Sequence, residues 1–129
     1  MNDAEIERLV NMTVNKTVLK LKMSGMMKDN RMSIFQKTEE MLKNYNSFCF
    51  SEQPYAQKIV GRIEEALNTI KDDPYSEVIN LYYFEGYSRE QIAEEFGTSV
   101  TTISRNKTRL INKLKTILFS DDFLLELYN

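Results

Sequence analysis

Apolar residues recur at three- and four-residue steps along nearly the whole chain, the spacing that places side chains on one face of an α-helix. Only 4 glycines and 2 prolines interrupt the 129 residues, and strand signals are weak. The sequence therefore predicts an all-α fold, in which N-terminal helices precede a C-terminal pair of helices.

The clearest boundary in the chain is the Asp-Asp-Pro segment that ends at Pro74. Asp73 is suited to cap a new helix, and Pro74 to the first helical position, which needs no backbone N–H. The chain is thereby divided into an N-terminal helical region (1–71), a C-terminal module (72–118) and a short tail (119–129). A last short helix, capped by Ser120, is predicted in the tail.

Three helices are predicted in the N-terminal region, at about 3–23, from about Ser33, and at about 55–71, with a break at 24–30. The first carries one apolar stripe between Ile6 and Leu21. Two interpretations of the stripe stay open: packing within the chain, or a homodimer interface, since helix-turn-helix proteins commonly bind two half-sites as dimers.

The C-terminal module contains two helical patterns on either side of a Gly-Thr-Ser turn at 97–99. Ser88 and Gln91 have the spacing of a capping box, in which side chains satisfy unpaired backbone N–H groups. Ser99 is suited to cap the second helix, which begins at Val100. Two short helices joined by a glycine-containing turn predict a helix-turn-helix.

The second helix of this pair is basic, although the formal net charge of the chain is -2. Five basic residues and no acidic residue lie between Ser99 and Leu118. Phosphate contacts supply much of the affinity of proteins for DNA, and a recognition helix enters the major groove with its N-terminal half. Double-stranded DNA is therefore the predicted partner.

Helical periodicity separates the residues of this helix by role. The residues predicted to read bases share its outward face: Val100, Thr101, Ser104, Arg105 and Thr108. Arg105 is the strongest candidate, because its guanidinium matches O6 and N7 of guanine. The residues predicted to contact phosphates are Thr102, Lys107, Arg109 and Lys113. An inner line is predicted from Ile103, Leu110, Leu114 and Ile117.

Other chemistry finds little support in the composition. The chain has no histidine, which removes histidine acid–base catalysis and the usual zinc ligand sets. No phosphate loop or nucleophile triad appears, so we expect no enzymatic activity, no cofactor and no metal. The single cysteine, Cys49, has no partner for an intrachain disulfide, and no segment resembles a secretory signal or a membrane span. A cytoplasmic protein is expected.

The C-terminal module resembles region 4 of bacterial sigma factors, whose helix-turn-helix binds the -35 promoter element. The resemblance covers roughly residues 74–118 and is carried by YFEGYS, by EQIAEEFG and by the S-x-x-T-I that opens the second helix. It implies contact with DNA and with host RNA polymerase. Asn106 departs from the sigma pattern, which usually has an apolar residue there, and a buried asparagine must find hydrogen bonds.

Residues 33–119 also resemble the ArpU/RinA-like phage transcriptional regulators, through FQKTEEMLKNYNSF, RIEEALNTIKDDPYSEVINLYYFEG and TISRNKTRLINKLKTILF. This resemblance implies a sequence-specific activator of phage or prophage late genes in a Gram-positive host. Two alternatives stay open. One is a phage small terminase subunit, which recognises DNA for packaging, and the other is a sigma-like module that binds RNA polymerase or another protein.

Overall fold

A computed structural model of the chain describes residues 2–8, 25–29 and 31–120. These residues form helices and connecting turns, with no strand among them, so the all-α prediction is confirmed. The chain divides into two compact units, Met1–Ser33 and Ile34–Asn129. The boundary predicted near residue 72 falls inside the second unit.

Two short stretches of the first unit are helical, residues 3–8 and 25–28. The first begins where a helix is predicted, while the remainder of that helix and most of its apolar stripe lie outside the described residues. The second falls in the predicted break, where the prediction is wrong. A glycine such as Gly25 costs a helix about 1 kcal/mol relative to alanine and does not exclude one. The tail helix predicted after Ser120 also lies outside the described residues.

The second unit contains a succession of helices whose bounds are as follows: α1 (Ile34–Lys43), α2 (Tyr45–Cys49), α3 (Pro54–Thr69), α4 (Glu77–Ile79), α5 (Arg89–Phe96) and α6 (Val100–Leu118). Helix α4 continues without a break into a five-residue π-helix, Asn80–Phe84. The α5–α6 pair is the predicted helix-turn-helix.

The segment before α4 differs from its prediction. A helix capped by Asp73 is predicted to begin at Pro74, but residues 71–76 form turns and α4 begins at Glu77. The Asp73 carboxylate accepts the Tyr75 N–H at 2.9 Å, yet its main partner is an arginine of α6. Local capping rules could not identify this partner, because 36 residues separate it from Asp73 in the sequence.

Helix α6 lies at the centre of the second unit and packs against α1, α3, α4 and α5. Ile103, Leu110 and Leu114 are fully buried, as predicted. Ile117 is only half-buried, whereas Ile111 and Leu118 are fully buried. Because neighbouring helices cover α6 from several sides, its buried face is wider than the single line that the periodicity predicts.

Candidate nucleic-acid interface

The turn between α5 and α6 is set by local chemistry. Gln91 donates its backbone N–H to Ser88 Oγ at 3.1 Å, and Ser88 donates its own N–H to the Gln91 side chain at 2.9 Å, which completes the predicted capping box. Gly97 ends α5 with φ +63°, in the left-handed region that glycine adopts readily. Ser99 Oγ then accepts the Thr102 N–H at 3.1 Å and caps α6. These three predictions are confirmed.

A small apolar cluster fixes the angle between α4, α5 and α6. Val78, Ile92, Ala93 and Ile103 are buried together, and partly buried side chains surround them, Val100 and Phe96 among them. The cluster holds α6 against α5 by one side, so the other side of its N-terminal half stays open. Contacts with a partner are therefore available to α6 on this open side.

One face of α6 is exposed along its length. Its residues recur on each helical turn, singly or in adjacent pairs, and we call them the outer stripe: Thr101, Arg105, Thr108, Arg109, Asn112, Lys113 and Thr116. Five of the nine residues predicted to contact DNA belong to the outer stripe. Three of the seven members are basic and none is acidic, which is the charge pattern that a phosphate backbone favours.

Three further predicted contacts are less exposed. Val100 is half-buried and packs on the apolar cluster, so the structure corrects its placement on the outward face. Ser104 is half-buried and accepts a hydrogen bond from Arg89 Nη1 at 3.2 Å. Thr102 is half-buried, and its hydroxyl hydrogen-bonds with that of Ser99 at 2.9 Å. Ser104 and Thr102 flank the outer stripe, whereas Val100 points away from it.

Lys107 lies on the opposite side of α6 from the outer stripe, so the structure does not bring it together with Arg109 and Lys113, the other basic residues predicted to contact phosphates. Its ammonium is 3.4 Å from Glu39 of α1 and 4.4 Å from the centre of the Tyr82 ring, and its side chain is only 14% exposed. Each helical residue turns by about 100°, so Lys107 points about 200° away from Arg105.

The partners of Lys107 form a polar cluster that joins α1 to the π-helix and α6. Tyr83 donates its hydroxyl to Glu39 Oε2 at 2.6 Å. Burial, together with this hydrogen bond to a carboxylate, raises the pKa of Tyr83 well above its usual value. The Tyr83 hydroxyl therefore stays protonated and donates to Glu39. The contacts of this cluster hold α1, the π-helix and α6 together.

Arg109 is on the outer stripe but is already bound within the chain. Its Nη1 and Nη2 atoms donate to the two carboxylate oxygens of Asp73 at 2.7 and 2.9 Å. Its Nε and Nη2 atoms also donate to Asn106 Oδ1 at 3.2 and 3.0 Å. The hydrogen bonds from Arg109 lower the pKa of Asp73 to about 2, so this carboxylate is ionised at neutral pH.

Asn106 satisfies the hydrogen bonds that its half-buried position requires. Its Nδ2 donates to the Thr102 carbonyl at 2.9 Å, one turn earlier in α6, and its Oδ1 accepts from Arg109. Asparagine in place of an apolar residue thus provides a second acceptor that holds the Arg109 guanidinium beside Asp73.

Sequence reasoning missed Arg89, Asn112 and Thr116, which share or border the exposed face. Arg89 opens α5 and reaches Ser104 of α6, although the rest of α5 is acidic and was interpreted only as a supporting helix. Asn112 and Thr116 follow Thr108 at four-residue steps, so that periodicity was the signal for both.

The comparison with known families agrees with this geometry. Residues 62–114 match the family described as sigma-70, region 4, a match that covers less than half of the chain. It includes the second half of α3, the π-helix, the capped turn and most of α6. The chain matches no curated protein and no solved structure at a significant level.

The fold and the match together define a sigma region 4-like helix-turn-helix domain. The region-4 resemblance drawn from the sequence is confirmed, and the match extends it towards the N-terminus by part of α3. Across the part of the chain that the structure describes, each helix is too short or too polar to cross a membrane.

Proposed function

We propose that this protein is a sequence-specific DNA-binding transcription regulator of a phage or prophage, acting in the host cytoplasm as an activator of late genes. The observation that carries the proposal is the outer stripe, an exposed face with three basic residues and no acidic residue on the second helix of a region 4-like helix-turn-helix. The resemblance to the ArpU/RinA-like regulators supports the phage context.

In the proposed complex, α6 lies in the major groove of double-stranded DNA with its N-terminal half towards the base edges. Arg105 is exposed and offers both ends of its guanidinium to a guanine, while Thr101 and Thr108 flank it on the same face. Lys113 lies two turns further along and contacts a backbone phosphate, which sets the position of the helix without reading sequence.

A second surface is proposed to contact host RNA polymerase, as the resemblance to sigma region 4 implies. An open cavity of about 330 Å³ lies where α3 meets the turns before α4, lined by Leu67, Ile70 and Glu77 among others. Its position within the residues that match region 4 makes it the candidate for this contact. A homodimer through the stripe between Ile6 and Leu21 stays a prediction.

Binding sites selected from a randomised duplex pool, together with footprinting on the genomic DNA upstream of the gene, test the proposal. We expect Arg105→Ala to lose about 1–3 kcal/mol of preference for the selected sequence over the pool. We expect Lys113→Ala to weaken binding to all sequences alike and to reduce the slope of log K against log salt by about 0.9.

Lys43→Ala is the matched control, because Lys43 is an exposed base at the end of α1 rather than on α6. It should leave both the sequence preference and the salt slope unchanged. Binding that none of these substitutions alters would rule out α6 as the contact surface. If the selection enriches no sequence from the pool, that result would argue against a sequence-specific regulator.

A further inference from the structure

The Asp73 carboxylate accepts hydrogen bonds from Arg109 in the same arrangement that a DNA phosphate would use. A guanidinium has five N–H donors, and it binds carboxylates and phosphates with the same parallel pair of hydrogen bonds. In this protein four of those five donors are engaged, two by Asp73 and two by Asn106. One donor, on Nη1, is left for an external anion.

The pair lies within the proposed contact surface rather than beside it. Arg109 is four residues after Arg105 and four before Lys113, so the three bases are on successive turns of one face. A DNA backbone that follows this face would meet the Asp73 carboxylate at the middle base. The carboxylate is itself held in place by the N–H of Tyr75.

We infer that Asp73 sets the affinity of this protein for DNA, because it withholds Arg109 from DNA phosphates and so weakens binding to DNA of any sequence. This inference rests on the proposed function. Nonspecific binding depends almost entirely on phosphate contacts, and specific binding also on base contacts such as that of Arg105. Removing one phosphate contact therefore weakens specific and nonspecific complexes by the same factor and leaves the base contacts unchanged.

The test measures binding of the full-length chain to a fluorescent randomised duplex pool across a salt series. Asp73→Asn should release Arg109 and steepen the slope of log K against log salt by about 0.9, one additional phosphate. That change corresponds to a further loss of about 3.5-fold in affinity between about 50 and about 200 mM salt. The ratio of specific to nonspecific affinity should stay the same, because the additional contact reads no base.

Asp72→Asn is the matched control, since it removes the same charge from the exposed neighbouring residue, while Arg109 bonds to Asp73. It should leave the salt slope unchanged. Arg109→Ala in the wild-type background should also leave the slope unchanged, and in the Asp73→Asn background it should abolish the increase. Equal slopes for the two aspartate variants, or an increase that persists without Arg109, would overturn the inference.

The Asp73–Arg109 pair also joins the turn at 71–76 to α6, so Asp73→Asn could affect folding. Circular dichroism shows whether this variant still folds. If that variant unfolds, Arg109→Ala alone decides: a reduced slope means that Arg109 already contacts phosphate, and an unchanged slope supports the inference. Wild-type protein that does not bind the pool at any salt concentration overturns the proposed function itself. If the wild type binds the pool and the Asp72→Asn and Asp73→Asn variants give equal salt slopes, only the role of Asp73 is overturned.

Discussion

Lys107 and Lys113 lie on the same basic helix and have opposite surroundings. We expect Lys107→Met to lower the free energy of unfolding by about 1–3 kcal/mol, because Glu39 and the Tyr82 ring lose their cationic partner while the length of the side chain is kept. Lys113 is exposed, so Lys113→Met should change stability by less than about 0.5 kcal/mol. Urea unfolding of both variants measures the difference.

The salt dependence of DNA binding should give the reverse order, with a slope reduced in Lys113→Met and unchanged in Lys107→Met. Equal effects of the two substitutions on stability would show that the contacts of Lys107 with Glu39 and Tyr82 contribute nothing. The direction of Lys107 could have been predicted from its offset from Arg105. Glu39 as its partner could not, because 68 residues separate them in the chain.

Helical elements whose ends are fixed by neighbouring residues were predictable. Ser88, Ser99 and Gly97 act within three or four positions, so their spacing was sufficient to predict the capped turn. The π-helix was not predictable, since its wider turn aims Tyr83 at Glu39 of α1 and places Phe84 4.5 Å from the Tyr45 ring. The π-helix thus makes a hydrogen bond to α1 and an aromatic contact with α2, and no local sequence pattern encodes either of them.

Two glycines of these elements should respond to alanine with opposite signs. Gly97→Ala should destabilise the protein by about 1–2 kcal/mol, because its left-handed φ of +63° is unfavourable for a residue with a Cβ atom. Gly61 is exposed within α3 with nothing near its missing Cβ atom, so Gly61→Ala should stabilise by about 1 kcal/mol. Thermal unfolding of both variants checks the signs, and a Gly97→Ala variant as stable as the wild type would contradict the expectation.

At the scale of the whole molecule, the region that matches sigma region 4 is smaller than the unit that folds around it. The match begins at Arg62, whereas the second compact unit begins at Ile34. Helix α1 lies outside the match, yet it packs on α6 and contributes Met41 and Leu42 to the fully buried side chains. The helix proposed to contact DNA is therefore supported by a segment that the sequence analysis placed in the N-terminal region.

Two truncations test this support directly. A fragment of residues 34–129 should unfold cooperatively, because it keeps α1, α3, α4 and α5, which pack on α6. A fragment of residues 72–129, the module predicted from sequence, should fail to do so. Without α1 and α3, part of the apolar face formed by Ile103, Leu110, Ile111, Leu114 and Leu118 is exposed to water, at about 1.5–3 kcal/mol for each side chain fully uncovered. Far-ultraviolet circular dichroism during heating distinguishes the two outcomes, and a sharp transition in the shorter fragment would support the boundary predicted at residue 72.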